Sequence, residues 1–583
     1  MLLAAGVANA QFWAQWGLNP QHTGQVGVAG QALNRELSDI VYDPLAPSEQ
    51  AANQGALLAH YQVPLIDDAT GIFMEFKSGV YNKNRYDTQV WGENGFKWVN
   101  GQLTQTWSFV SDWKAPGSQA DFWEPVFHGV LANGYIYVPG AFGTIFKLSK
   151  IDGSVVSRVN PFPTFDPTII VAGVLTADGS GNIYYNAIQQ YNPGTGISFY
   201  QHDIVDSWLV KVSPQDTASK VSYSALTTAT AANSLPAPTP TGQCLGEFDV
   251  KQLPWPPSPN AVPPSFTCGH MRPALNAAPA ISADGGTVYT ITRTHLGDGD
   301  GRYAGMAAVN AADLTPKWWT SFRDRLNDGC NNDAGAFPGA LLPTNGTPGG
   351  CRLGTTPGVD PAQNTRPAAR VLDDASSSPT VAPDGSILYG AYTRYDFARG
   401  HLVKFDSNGQ FQASYSFGWD STPAIYAHGS TYSIVIKDNE YGGGPQFGSY
   451  CNTDSICPPR QNGPFFITQL DPGLNVEWKF KNTNNQACTR NPDGSITCVP
   501  NTSGNQWPNV GFEWCINAPV VDANGVVYAN SEDGNLYAVN QGGALNANIF
   551  LQLALGAAYT PLAIGPDGKI YTENDGHLFV VGQ

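Results

Sequence analysis

The residues able to do chemistry fall into three groups. The first is nine cysteines, at 244, 268, 330, 351, 451, 457, 488, 498 and 515. Eight are neighbours in sequence: Cys244/Cys268, Cys330/Cys351, Cys451/Cys457 and Cys488/Cys498. Four local disulfides stapling long loops is the simplest of the roughly one hundred connectivities that eight cysteines allow. Zinc is the competing reading, but Cys451/Cys457 and Cys488/Cys498 lack the close two-to-four spacing and have no clustered His. Cys515 is left over, either a buried thiol packing as a small hydrophobe or a nucleophile whose base the sequence does not locate. The second group is Gly297-Asp298-Gly299-Asp300-Gly301, two carboxylates at i and i+2 on a flexible backbone, a pattern that suits calcium. A plain glycine-rich turn is the alternative. The third group is polar and aromatic: Glu124, His128, Arg272, Asp374, Trp419, Asp420, Glu513 and Asn517. Carboxylates beside aromatic rings suit a sugar or a cation.

No Gly-x-Ser-x-Gly elbow, phosphate loop or His-Glu-x-x-His motif occurs. The formal charge is −17, charged residues are only 13% and aromatics 11%, with 63 Gly and 44 Pro among 583 residues. Low charge with many aromatics is the opposite of a disordered chain. The acidic balance excludes a nucleic-acid binder, which needs cations against phosphates. Met1–Val7 is apolar, and Ala8-Asn9-Ala10 has the form of a signal-peptidase site without a basic leader. Residues 1–10 therefore read as a truncated signal peptide. Together with the cysteines they point to a secreted, periplasmic or cell-surface protein. No apolar run is long enough for a transmembrane helix.

A repeat supplies the elements that must position these residues. A Pro, a short apolar strand, an Asp/Asn-Gly turn and a strand ending in Tyr occur at Pro519–Tyr528 and Pro561–Tyr571. Asp-Gly between apolar runs is a hairpin signal. Related copies start at Pro64, Pro279, Pro379 and Pro423, with degenerate ones at His128 and Gly173. Anchors 128–173, 379–423 and 519–561 are spaced as one four-stranded propeller blade of about 40–45 residues requires. Each hairpin is followed by a second strand pair, as in Asn535-Leu-Tyr-Ala-Val-Asn540. After Pro561 only three strands remain, so Leu37–Tyr42 is expected to supply the fourth and close the ring.

The strand, Asp-Gly, strand-Tyr and Gly-x-Leu-Tyr-Ala-Val-Asn phrase resembles the PQQ-like (quinoprotein-type) β-propeller repeat. The opening Trp16-Gly17 with His22-Thr23-Gly24 is similar to the N-terminal segment of bacterial exported members. The resemblance implies an all-β, eight-bladed β-propeller over 11–583, with insertions at about 174–270, 323–370 and 433–510. It covers both dehydrogenases and non-catalytic scaffolds. The dehydrogenases carry adjacent cysteines over the quinone, a Cys-x-x-Cys-His haem site in some, and regular docking tryptophans. Here Cys-Cys and Cys-x-x-Cys-His are missing, and Trp107, Trp318 and Trp478 are remnants of the tryptophan pattern. The expectation is an exported binding or scaffolding propeller whose insertion loops and channel mouth take a protein or carbohydrate partner. No cofactor is expected, with calcium and PQQ as open alternatives. The competing class is an enzyme, either a PQQ-dependent oxidoreductase or a hydrolase or lyase at an acidic mouth. The third group of residues precedes or occupies the anchors and so belongs near that mouth.

Overall fold

Six of the eight anchors are prolines, and each stands directly before an innermost strand. Proline donates no backbone N–H and holds an extended entry, so it fits the first position of a strand. The computed structural model describes residues 13–53, 55, 57, 62–83, 85–116, 126–191, 199, 202–230, 243–245, 265–295, 304–322, 377–392, 399–418, 421–439, 464–491, 493–501, 511–514, 518–555 and 561–583.

Eight antiparallel sheets form the blades. Blade 1 is Leu65–Ile66, Gly71–Gly79, Gln89–Val99 and Gln102–Val110, and blade 2 is Val130–Ala132, Tyr135–Pro139, Ile145–Ser149 and Val155–Val159. Blade 3 is Ile169–Ala177, Ile183–Gln189, Asp206–Val212 and Ala218–Ser222. Blade 4 is Ala280–Ile281, Thr287–Thr294, Ala304–Asn310 and Pro316–Ser321, with Met271–Pro273 added beside its second strand. Blade 5 is Thr380–Val381, Ile387–Tyr392, Arg399–Phe405 and Phe411–Gly418. Blade 6 is Ala424–His428, Thr431–Asn439, Phe465–Leu470 and Val476–Lys481, and blade 7 is Val520–Val521, Val527–Asn530, Asn535–Asn540 and Ala544–Phe550.

Blade 8 combines Leu562–Ile564, Ile570–Asn574 and His577–Gly582 with the N-terminal Arg35–Val41, which pairs antiparallel with His577–Gly582. The expected closure is therefore present. The intervals read as insertions need correcting. Blade 3 strands fall inside 174–270 and blade 6 strands inside 433–510, so the inserted stretches are shorter. Two of them carry hairpins, Gln243–Leu245 with Ser265–Thr267 and Gln486–Arg490 with Ile496–Pro500. In the second, Cys488 and Cys498 face each other across the strands and are disulfide-bonded. Cys268 is also disulfide-bonded, and the backbone of Cys244 lies opposite Phe266. The remaining cysteines, Cys330, Cys351, Cys451, Cys457 and Cys515, lie outside the described residues.

Blades stack through apolar faces, and tryptophan completes some of the seams. The Trp107 indole N–H donates to Lys150 O at 3.1 Å, and its ring lies where a Cβ on Gly153 would sit. Trp318 does the same to Ser407 O, at 2.9 Å, over Gly409. The remnants seen in sequence thus still dock one blade on the turn of the next.

The N-terminal segment does something the sequence does not announce. It runs round the inside of the ring and bonds to all eight blades in order. Trp13 O accepts from Ile66 N (2.8 Å) and Ala14 O from Leu131 N (2.8 Å), while Gln15 Oε1 accepts from Ala177 N (2.7 Å). Pro20 O, Gln21 O and Thr23 O accept from Ile281, Val381 and Ile425 (2.8, 2.9 and 2.7 Å). Gly24 and Val26 bond both ways with Val521 at 2.9 Å, and Gln31 N donates to Gly568 O at 2.7 Å. In blades 1 to 7 each bond occupies a backbone group of an inner strand, and in blade 8 one in the turn that follows it. The path needs tight bends: Gly17, Leu18, His22 and Gly24 all have positive φ. At Gly24 (φ +62°) a Cβ would meet Pro519 O at 3.0 Å and Ala424 Cβ at 3.3 Å.

This strap gives a direct test. Gly24→Val combines a left-handed branched residue with contact to two blades, and is expected to cost about 2–3 kcal/mol in chemical denaturation. Gly134 also has positive φ (+82°) but has nothing within 4 Å of a Cβ, so Gly134→Ala is expected to cost only about 1 kcal/mol.

Candidate functional site

Strand direction alternates within a blade, so the first-to-second and third-to-fourth turns share one face of the ring. On that face every turn has two to five residues. The strap bonds at this end, to residues such as Ile66, Ile281, Val381 and Val521, each the last of its inner strand. The second-to-third connections and those between blades leave from the other face. They include 190–205, 440–464, 223–279, 322–379 and 482–519. One face is strapped and tightly turned; the other carries all the long connections, and it is there that the sequence reading looks for the mouth candidates.

Of those candidates, His128, Arg272 and Glu513 are described. Glu124, Asp374, Trp419, Asp420 and Asn517 lie outside the described residues, as do Asp298 and Asp300 of the calcium reading. His128 is fully buried. Its Nδ1 is 2.8 Å from Gly129 O, and its Nε2 is 3.0 Å from Val63 O and 3.7 Å from Glu75 Oε1. Burial pulls it down to about 4, so the ring is neutral at pH 7. Its edge meets the Trp16 ring at 6.0 Å, joining the mouth side of the channel to the strap.

Arg272 has no exposed surface. Its Nε donates to His295 Nδ1 at 3.0 Å and an Nη to Pro273 O at 2.9 Å, and its guanidinium lies 5.3 Å from the Phe199 ring. With His295 Nδ1 accepting, the His295 proton is on Nε2, 2.9 and 2.8 Å from the carbonyls of Phe199 and His202. The pair clamps connection 190–205 of blade 3 onto blade 4. Glu513 is half-buried, and its carbonyl accepts from Ser531 Oγ (2.7 Å) and Glu532 N (3.1 Å). Beside His128's connection lies a small, half-open recess. Trp113, Val126, Ile170 and Leu275 supply apolar walls, and Asn276 supplies an amide.

Blade 1 holds a buried polar group that the sequence reading passes over. Glu75 and Glu93 face each other on adjacent strands, with Lys77 and Trp91 the next pair on the same side. All four are nearly unexposed, and Lys77 is ion-paired to Asp43. The signal was present: charges at positions 75 and 77 continue the inward alternation begun by Phe73. Among the described residues no three His, Cys, Asp or Glu side chains gather as a metal site.

No protein-family model matches the chain, and no curated protein matches it by sequence. Solved structures do. A europium-containing methanol dehydrogenase aligns over 97% of this chain and 89% of its own, at 10% identity and TM-score 0.52. The quinohemoprotein alcohol dehydrogenase from Comamonas testosteroni aligns over 99% and 82%, at 11% identity and TM-score 0.49. BamB from Moraxella catarrhalis aligns over 94% and 99%, at 10% identity and TM-score 0.37. Such low identity speaks to fold alone: the chain is an eight-bladed, PQQ-like β-propeller.

Proposed function

We propose that the protein is an exported, non-catalytic propeller that binds or scaffolds a partner through the face bearing its long connections. The carrying observation is the asymmetry of the ring. Strap and short turns occupy one face, so the long connections are all presented on the other, as recognition loops on a rigid scaffold. The Cys488–Cys498 bond and the bonded Cys268 support an oxidising compartment. No described helix is long and apolar enough to cross a membrane.

Val80 and Ile151 make a matched pair for testing this. Both are exposed, at 63% and 79%; Val80 is on the connection face and Ile151 on the turn face. A photo-crosslinking residue at 80 is expected to capture a partner in native cells, and one at 151 is not. Equal capture at both, or capture only at 151, removes the proposal.

Glu93 is the described group nearest to acid–base machinery, yet its surroundings favour a role in stability. Burial pushes it up to about 8 from an ordinary 4.5, and its carboxyl has no hydrogen-bond partner. Trp91 lies in the same strand, with Trp113 and Phe127 packed on it at 5.6 and 6.3 Å. The charged or titratable groups on this side are Glu75 opposite, Lys77 paired to Asp43, and neutral His128. A carboxyl raised on folding stabilises the fold fully below 4.5, and that contribution is lost as pH rises toward 8. The unfolding midpoint is therefore expected to fall between pH 5 and 8, and Glu93→Gln to flatten the slope and raise the midpoint at pH 8. An unchanged slope in Glu93→Gln contradicts the assignment.

A further inference from the structure

Two exposed aromatic rings stand out on the connection face. Among the described residues, Phe165 (59% exposed) and Tyr191 (54%) are the only aromatic side chains in the set of exposed large hydrophobics; the others are aliphatic. Phe165 lies in 160–168, between blades 2 and 3, and Tyr191 begins the 190–205 connection of blade 3. The two stretches are laced together. Gln190 N donates to Thr168 O at 2.9 Å, and Gln189 Nε2 donates to Asp166 Oδ2 at 2.9 Å.

The rings are held in place before any ligand arrives. Phe142, in the 140–144 connection of blade 2, meets Phe165 edge-on at 5.5 Å. Its φ is +65°, a strained conformation for a phenylalanine that persists where the surroundings enforce it. The Arg158 guanidinium lies 5.4, 5.3 and 4.6 Å from Phe142, Phe165 and Phe146. An Asp112 carboxylate oxygen 2.9 Å away and Ala141 O at 3.0 Å fix that guanidinium. Tyr191 packs against His202 at 4.7 Å. Rings fixed this way lose little freedom on binding.

We infer that this rim of blades 2 and 3 stacks the sugar rings of an uncharged carbohydrate chain, an inference that rests on the connection face being the binding face. Flat exposed rings offer apolar faces to a sugar, and Asp112, Asp166 and Asp203 offer acceptors for its hydroxyls. The nearby basic side chains are already engaged: Arg158 by Asp112, Lys220 by Pro161 O at 3.1 Å, and His270 by Asp203 at 2.7 Å. With a formal charge of −17, an anionic chain is repelled. That combination favours a neutral, hydroxyl-rich ligand over a phosphate-bearing or acidic one.

The test is retention of the full chain on a panel of neutral polysaccharides, namely cellulose, chitin, xylan, starch and β-1,3-glucan. At least one is expected to retain the protein. Phe165→Ala with Tyr191→Ala is expected to weaken that retention at least tenfold without moving the unfolding midpoint, while Phe165→Trp keeps it. Retention on no member of the panel, or equal retention of the double variant, overturns the inference. If position 80 captures a protein while no polysaccharide is retained, the glycan assignment fails and the connection face stands. If capture favours the turn face, the reading beneath it fails as well.

Discussion

The structure depends on a single run of backbone hydrogen bonds, from residues 13–31 to the inner edges of eight blades. A propeller blade leaves its inner strand with one edge toward the channel. In blades 1, 4, 5 and 7 that strand is only two residues long. So short a strand with an open edge holds its register weakly. The strap pairs those edges one after another and then leaves the channel to become the outer strand of blade 8. One stretch of chain thus fixes the inner rim and closes the outer one. At about 0.5–1.5 kcal/mol net per bond, no single contact is decisive. The order of the contacts is, because it sets the sequence of blades around the axis.

The same face explains much of the acidity. Aspartates in its turns accept backbone N–H groups two residues on: Asp178 from Ser180, Asp284 from Gly286, Asp313 from Thr315, Asp384 from Ser386 and Asp522 from Asn524. Hydrogen bonds from Ser282 and Gly286 hold Asp284 below its usual range, and those from Thr315 do the same for Asp313. Burial raises Asp384, but bonds from Ser386, Tyr432 and Lys404 outweigh it and bring the group down to about 2. These carboxylates are turn locks. The low overall charge has a different origin, since stacked blades bury both faces of most sheets.

Much of this was legible from spacing. Proline before six of the inner strands, the Asp-Gly turn and the orphan three-strand blade follow from local rules, and the closing strand falls within two residues of where it was sought. Long connections blurred the rest. The strands at 183–189 and 465–470 carry the repeat, but the insertion bounds drawn around them run too wide and also take in 206–212, because 190–205 and 440–464 stretch the blade's own spacing. The strap was not legible: it has no strand alternation, and apart from the Gln15 side chain in blade 3 the bonds that run it from blade to blade use backbone groups that every residue type has. Only its glycines hinted at it, through bends that the blades themselves enforce. Arg272 and His128 were found by position, but their burial depends on neighbours distant in sequence, Phe199 and Val63. Glu93 was passed over because a charge on an alternating strand reads as solvent-facing until the neighbouring blade covers it.

Taken together, the devices that hold the ring crowd onto one side. The strap, the aspartate locks and the seats of Trp107 and Trp318 on Gly153 and Gly409 all sit at tight turns. Lengthening a turn there breaks a lock, displaces a docked indole or pushes an inner strand off the strap. A connection on the other face has no such duty, apart from clamps such as Arg272–His295 that tie a loop's base to the ring. Chain length therefore accumulates where it costs least stability. Four antiparallel strands per blade, with the inner edge strapped at one end, leave one face on which the connections run long.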